Sequence, residues 1–91
     1  MSVDFAFLDS GIGGIPYLLF FQEKQQNVNC IYYADTKNFP YRQKSSEQII
    51  ENATIATQKI IEKWNPGAIV LACNTISVTA LEELRKRFPN V

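Results

Sequence analysis

The chemistry in this 91-residue sequence begins at Cys73-Asn74-Thr75, where a thiol, an amide and a hydroxyl follow the apolar run 68–72. A helical pattern starts immediately after the thiol, so Cys73 is predicted to lie where a strand gives way to a helix. The free N–H groups and the dipole of a helix N-terminus favour an anion there. That anion would be either a bound carboxylate or the thiolate of Cys73 itself.

Two further polar groups, Asp9-Ser10 and Asp35-Thr36, also follow directly on apolar runs. The apolar runs are predicted to be strands, over Asp4–Leu8, Cys30–Ala34 and Ala68–Ala72. We expect the third strand to be buried on both faces, because it is wholly apolar and is introduced by Pro66-Gly67.

Helices are predicted between the strands and after the last one. Pro16 suits the first turn of a helix that continues to about Gln25. The run Ser45-Ser46-Glu47-Gln48 fits a capping box, and the helix that follows ends at Asn65-Pro66-Gly67. The third helix has Asn74 or Thr75 where an N-cap belongs. Two apolar stripes mark the buried faces of the second and third helices: Ile49, Ala53, Ala56, Ile60 and Trp64, and Ile76, Ala80, Leu84 and Phe88.

The order of elements is therefore β-α-β-α-β-α, the pattern of an α/β protein with a three-layer arrangement around a parallel sheet. With the strand order 2-1-3, the topological switch point falls between strands one and three. Ligands bind at such a point, so the polar strand endings are expected to face one crevice. We interpret residues 1–91 as a single, incomplete α/β domain.

The segment Gly11-Ile12-Gly13-Gly14 predicts a backbone that turns sharply or approaches a ligand closely. Pro16 stands where the third glycine of a dinucleotide-binding motif should pack, and no Gly-Lys-Ser/Thr follows. Dinucleotide and NTPase phosphate loops are thus excluded, while binding of another anion at Gly13-Gly14 stays open.

Composition excludes several classes of function. Nine basic residues balance nine acidic ones. No net positive charge is therefore available to attract nucleic acid or an anionic membrane. The sequence that follows Met1 lacks the features of a secretory signal, and no apolar stretch is long enough to span a bilayer. The protein is therefore predicted to be cytoplasmic. With no histidine and two cysteines, the usual zinc sites cannot form, and no metal is expected. Cys30, in the middle of an apolar strand, is interpreted as a buried hydrophobe.

Three motifs occur in order: Asp9-Ser10-Gly11-Ile12-Gly13-Gly14, then Asp35-Thr36 with Pro40-Tyr41 and Lys44, then Ala72-Cys73-Asn74-Thr75. Together they resemble the amino-terminal part of glutamate racemase, over essentially the whole chain. The resemblance implies a cofactor-independent isomerase that interconverts L- and D-glutamate and supplies the D-isomer for peptidoglycan and hence for the cell wall. It also implies two cysteines that act as acid and base.

Roles for individual residues follow from this resemblance. Cys73 would be one of the two bases, and Asp9 would bind the substrate ammonium and assist Cys73, with Ser10 also in contact. Asn74-Thr75 would bind one substrate carboxylate and the Pro40-Tyr41 loop the other. Without the resemblance, Asp9, Asn74 and Thr75 are equally well explained as helix caps and turn formers. Asp9→Asn should separate the two interpretations, by weaker binding or by a lower melting temperature.

The sequence also departs from the family pattern. Arg42 stands where the family has glycine after Pro40-Tyr41, which adds a side chain or a cation to the substrate loop. Ile76 replaces a small residue. The family's second domain, which carries the other catalytic cysteine, has no counterpart in these 91 residues, and Cys30 cannot replace it. We therefore expect a fragment that is inactive alone.

Two alternatives remain open at this stage. The first is a racemase for aspartate or another dicarboxylate, because Arg42 changes the substrate loop. The second is a non-catalytic remnant that binds an acidic amino acid or a partner. A third strand without a neighbour on its outer side would also expose an apolar edge, so the isolated chain is expected either to self-associate through that edge or to be only marginally stable.

Overall fold

A computed structural model of the chain describes residues 3–91, so the argument from Met1 lies outside the described residues. Its three strands are β1 (Phe5–Asp9), β2 (Cys30–Ala34) and β3 (Ala68–Leu71), all parallel and in the order β2-β1-β3. The predicted strand order is confirmed. Asp9 lies beside Ala34, and Leu8 lies beside Leu71. The carboxyl ends of all three strands therefore meet at one edge of the sheet.

Helices alternate with the strands as α1 (Ile15–Lys24), α2 (Ser46–Trp64) and α3 (Asn74–Arg87). Two single-turn 3-10 helices, Thr36–Asn38 and Tyr41–Gln43, lie between β2 and α2. The sheet has α2 and α3 on one face and α1 on the other, which confirms the three-layer α/β class.

The main core lies between the sheet and the pair α2 and α3. Its buried members come from alternate positions of β1 and from the predicted stripes of the two helices. They are Ala6, Leu8, Tyr41, Ile49, Ala53, Ala56, Ile60, Ile76, Ala80 and Leu84. Trp64 and Phe88, the last residues of the two stripes, pack against this core while partly exposed. Spacings of three and four residues put these side chains on one face of each helix.

The other face of the sheet is covered more thinly. The Phe21 ring of α1 packs edge-on against Phe5 at 5.0 Å between centroids and lies 5.9 Å from Phe7. No residue of α1 is fully buried, and its Tyr17, Leu19 and Phe20 are largely exposed. The layer formed by α1 thus covers mainly β1 and β2.

The ends of α2 are fixed by local hydrogen bonds, as predicted. The hydroxyl of Ser45 accepts from the Gln48 backbone N–H at 3.2 Å, and the Gln48 side-chain oxygen accepts from the Ser45 N–H at 3.0 Å. These reciprocal bonds confirm the capping box. Asn65 ends the helix in the left-handed region, with φ of 44°, a conformation that asparagine tolerates better than most residues.

Three local predictions need correction. All four residues of β3 are only half-buried, because β3 is an edge strand that α1 does not cover. The N-cap of α3 is Cys73 rather than Asn74 or Thr75, because Cys73 is the last residue with extended backbone. Cys30 is half-buried and begins β2 instead of lying mid-strand.

Candidate active site

Asp9, the last residue of β1, is held by four hydrogen-bond donors. Its Oδ1 accepts from the backbone N–H of Ser10 at 2.7 Å and of Gly11 at 3.4 Å. Its Oδ2 accepts from the N–H of Gly14 at 2.7 Å and from the hydroxyl of Tyr32. The residue is only 5% exposed. The carboxylate therefore organises the loop between β1 and α1, and Gly14, the N-cap of α1, already has an anion from within the chain.

The glycine-rich loop is explained by a close approach at Gly14, and no glycine in it has a positive φ. A Cβ atom added at Gly14 would lie 2.7 Å from the Cβ of Ala72 and 2.7 Å from the hydroxyl oxygen of Tyr32. An added Cβ at Gly13 would meet nothing within 4 Å. The start of α1 is thus pressed against the end of β3, and a side chain at Gly14 would push the two apart.

Cys73 lies at this junction, half-buried and directly before the first residue of α3. Its sulfur is 3.5 Å from the hydroxyl oxygen of Ser10. Because Cys73 is the N-cap and its side chain makes no capping bond, the thiol is not used to hold the helix. The first N–H bonded inside α3 is that of Ser77, to the carbonyl of Cys73. The earlier N–H groups of the turn are available to an anion.

Two tyrosines approach the same region from β2 and from the loop after it. Burial raises the pKa of Tyr32, and the Asp9 carboxylate raises it further through its hydrogen bond and its charge. Burial also raises the pKa of Tyr41, followed by the hydrogen bond and charge of Asp35. The charge of Cys73 contributes to both upward shifts. Both phenols therefore stay protonated and serve as hydrogen-bond donors beside the thiol.

The loop that carries Pro40 is anchored through the side chain of its neighbour, Tyr41. This side chain is 1% exposed, and its hydroxyl donates to Asp35, which also accepts from the side-chain amide of Asn38. Pro40 is half-buried and Arg42 is exposed. Tyr41 thus fixes the loop from inside the protein, and its two neighbours, Pro40 and Arg42, are the more accessible residues.

The remaining predicted residues line the start of α3. Asn74 is exposed and Thr75 is half-buried, as the first two residues of the helix. Among the sequence-predicted site residues, the fold gathers Asp9, Ser10 and Cys73 most tightly. Cys30 lies at the other end of the sheet, paired with Phe5 on the neighbouring strand. Burial together with the charge of Asp4 raises the pKa of its thiol.

Tyr32 is the residue of this region that the sequence did not single out. It stood inside an apolar strand, where an aromatic residue is ordinarily a packing residue. Successive side chains of a strand point to opposite faces of the sheet. Tyr33 packs against Trp64 on the α2 side, so the side chain of Tyr32 points to the side of α1. There it meets Asp9 and Gly14.

The arrangement combines a thiol at a helix N-terminus, unbonded N–H groups and a shielded carboxylate. Within residues 3–91, no cluster of histidine, cysteine, aspartate and glutamate could hold a metal ion. Across the same residues, no helix is both long and apolar enough to cross a bilayer. A thiol in this position can transfer a proton, and the N–H groups at the start of α3 can bind an anion.

Comparison with known proteins supports a specific relationship. No protein-family model matches the chain. A glutamate racemase of Treponema pallidum (strain Nichols) is 48% identical over 81 residues, which is 89% of this chain and 30% of that protein. One from Borreliella burgdorferi is 43% identical over 83 residues, 91% of this chain and 32% of that protein. The chain matches the amino-terminal portion of glutamate racemases.

Solved glutamate racemase structures agree with this assignment. The enzyme from Aquifex pyrophilus superposes with a TM-score of 0.90 at 32% identity, over 96% of this chain and 34% of that one. The enzyme from Thermus thermophilus, in complex with β-chloro-D-alanine, gives 0.79 at 30% identity, over 94% and 33%. The chain spans about a third of the length of the glutamate racemases it matches.

Proposed function

We propose that this chain is the amino-terminal portion of a glutamate racemase and carries one of its two proton-transfer groups, Cys73. The observation that supports this most directly is the position of Cys73. Its thiol lies between the end of β3 and the start of α3, 3.5 Å from the Ser10 hydroxyl. The homologues' identity as glutamate racemases supplies the substrate class.

In the proposed reaction, the Cys73 thiolate removes the α-proton of glutamate from one face, and a second group delivers a proton to the opposite face. The reverse direction exchanges the two roles, so no atom or electron is gained or lost overall. The N-terminus of α3 places the positive end of a helix dipole beside Cys73. The Ser10 hydroxyl can donate to the thiolate and hold it toward the substrate.

The substrate's charges have matching partners in this proposal. The free N–H groups of Asn74-Thr75 and the side chains of these residues bind one carboxylate. The loop backbone at Pro40-Tyr41 and the Arg42 side chain bind the other. Asp9 lies near the ammonium group, but its four donors already use both carboxylate oxygens. Its contribution to the ammonium is therefore mainly its charge, and its larger role is to hold Ser10.

The second acid/base group belongs in this proposal to the part of the enzyme that corresponds to the remaining two-thirds of the homologues. Of the two cysteines in residues 3–91, only Cys73 lies at the carboxyl ends of the strands, and Cys30 lies at the far end of the sheet. The 91 residues form one incomplete domain that does not racemise glutamate alone. The complete cytoplasmic enzyme works without a cofactor and supplies D-glutamate for peptidoglycan.

A titration with amino acids tests the substrate assignment. Amide NMR shifts of the ¹⁵N-labelled chain are followed during addition of glutamate, aspartate and leucine. We expect glutamate to move the signals of Ser10, Arg42, Asn74 and Thr75, and leucine to leave them unchanged. Stronger shifts with aspartate would favour the alternative of an aspartate racemase, in which Arg42 draws a shorter dicarboxylate into the pocket.

Asn74→Ala provides the matched variant for this titration, with Asn90→Ala as control. Both asparagines are exposed, so neither change should unfold the chain. Only Asn74→Ala should weaken the glutamate shifts, because only Asn74 lies at the start of α3. Equal responses of the two variants would remove Asn74 from the binding site.

We also propose that the isolated chain self-associates through β3. This strand has β1 on one side and no second strand neighbour among the described residues. Beside it lies an apolar groove of about 190 Å³, lined in part by Ile69, Leu84 and Phe88. The buried Thr57 hydroxyl at this groove has no hydrogen-bond partner in the described part of the chain. Exposed apolar strand edges are templates for pairing with another chain.

A further inference from the structure

The Tyr32 hydroxyl lies at the junction between the end of β1 and the start of α1. It donates to Asp9 Oδ2, the same oxygen that accepts from the Gly14 N–H. A Cβ atom added at Gly14 would lie 2.7 Å from this hydroxyl oxygen and also 2.7 Å from the Cβ of Ala72. Tyr32 therefore links the end of β1 to the start of α1, at the point where Gly14 also approaches Ala72, the residue before Cys73.

We propose that Tyr32 is a positioning residue of this site, which acts through Asp9 and controls the ionisation of Cys73. Its hydroxyl holds the Asp9 carboxylate toward Gly14 and partly neutralises its charge. Asp9 in turn fixes the Ser10 backbone through its 2.7 Å bond, and Ser10 contacts the Cys73 sulfur. The use of Cys73 as a base rests on the proposed function, whereas the link from Tyr32 to Cys73 does not.

The charges around Cys73 explain why such a donor is needed. The groups that can titrate in this region are Asp9 on β1, Tyr32 on β2, Tyr41 with its partner Asp35, and Cys73 itself. A thiolate close to a carboxylate suffers like-charge repulsion, which disfavours ionisation. A phenol that donates to the carboxylate spreads its charge over the donor and reduces this repulsion. The electrostatic effect of both Asp9 and Cys73 on Tyr32 is consistent with a phenol near both anions.

The test measures the rate of Cys73 alkylation by iodoacetamide as a function of pH, by peptide mass spectrometry of the folded chain. Tyr32→Phe removes only the hydroxyl. Without that donor, the Asp9 charge acts more strongly on the thiolate, so the midpoint of the rate profile should rise by about half a pH unit or more. The profile of Cys30, at the other end of the sheet, should not change.

Tyr33→Phe is the matched control, because Tyr33 is the next residue of the same strand and packs on the opposite face against Trp64. It should leave the Cys73 profile unchanged. A pH profile separates positioning from general destabilisation, since a loosened fold would speed the alkylation of both cysteines. An unchanged midpoint in Tyr32→Phe, or an equal rise in Tyr33→Phe, would overturn the proposal.

A second pair of variants covers the case in which Tyr32→Phe does not fold. Gly14→Ala would press on the Tyr32 hydroxyl without removing it and would also press on Ala72, whereas Gly13→Ala adds a methyl group to open space. The Cys73 midpoint should rise only in Gly14→Ala, and identical profiles for the two alanine variants would contradict the assignment. None of these measurements requires racemisation, so the role of Tyr32 and the proposed function can fail separately.

Discussion

At the scale of single residues, the two cysteines have similar exposure but different surroundings. Cys73 follows the end of β3, contacts Ser10 and faces the N-terminus of a helix. Cys30 begins β2, and burial, with the nearby charge of Asp4, raises its pKa. The thiolate is the nucleophile. The helix N-terminus therefore favours reaction at Cys73, whereas the raised pKa of Cys30 slows its reaction.

Brief alkylation of the folded chain at neutral pH should therefore label Cys73 before Cys30. Peptide mass spectrometry after increasing reaction times gives both rates from one sample, so each cysteine serves as the control for the other. In denaturant the two rates should converge, because the surroundings are lost. Equal rates, or faster labelling of Cys30 in the folded chain, would contradict the placement of Cys73 at an accessible junction.

Sequence reasoning located Asp9, Ser10 and Cys73 because each follows an apolar run that predicts a strand. It did not find the bonding pattern of Asp9, which depends on Gly14 and Tyr32, residues five and 23 positions away. This pattern changes the value of Asp9→Asn as a test. In Asp9→Asn, an amide nitrogen replaces one carboxylate oxygen, and this nitrogen is a hydrogen-bond donor. It would face at least one N–H or O–H donor that the oxygen had accepted from. A loss of stability is then expected together with any loss of binding.

At the scale of elements, the helices and strands were predictable because each has a strong local signal. The capping box at Ser45 and the left-handed Asn65 fix both ends of α2. The edge position of β3 was predicted, but its burial on both faces was predicted wrongly, because a wholly apolar sequence does not say how well a helix covers each face. Order β2-β1-β3 makes it an edge, and the thin layer formed by α1 leaves its second face partly exposed.

This exposed strand predicts concentration-dependent self-association, which light scattering can measure. Val70→Lys should shift the isolated chain toward monomer, because a charge on an edge strand opposes pairing with another chain. Val78→Lys is the matched control, since Val78 is 85% exposed on α3 and far from any strand edge. A wild-type chain that is monomeric at every concentration, or equal effects of the two lysines, would argue against association through β3.

At the scale of the whole molecule, the three layers place the Cys73 thiol at the switch point of a parallel sheet. The strand order and the alternation of elements were both predicted from the sequence, since they follow from hydrophobic patterning and short connections. In the proposed enzyme, the partner of Cys73 lies outside these residues, and only the family resemblance predicts that it is a second cysteine. A site shared between two parts of an enzyme has half of its chemistry encoded elsewhere, and the chain spans about a third of its homologues.

Exchange of the glutamate α-proton with deuterated solvent tests the proposed role of Cys73 as the proton-transfer group. The chain is mixed with the carboxy-terminal two-thirds of the Treponema pallidum enzyme, whose amino-terminal match is 48% identical. Mass spectrometry and chiral chromatography then follow deuterium at Cα and the formation of D-glutamate from L-glutamate. We predict exchange in the mixture and none with either part alone. Cys73→Ala should lower the rate by about 100-fold or more, while Cys30→Ala should leave it unchanged. Exchange that survives in Cys73→Ala, or its absence from a mixture shown to form a complex, would contradict the account.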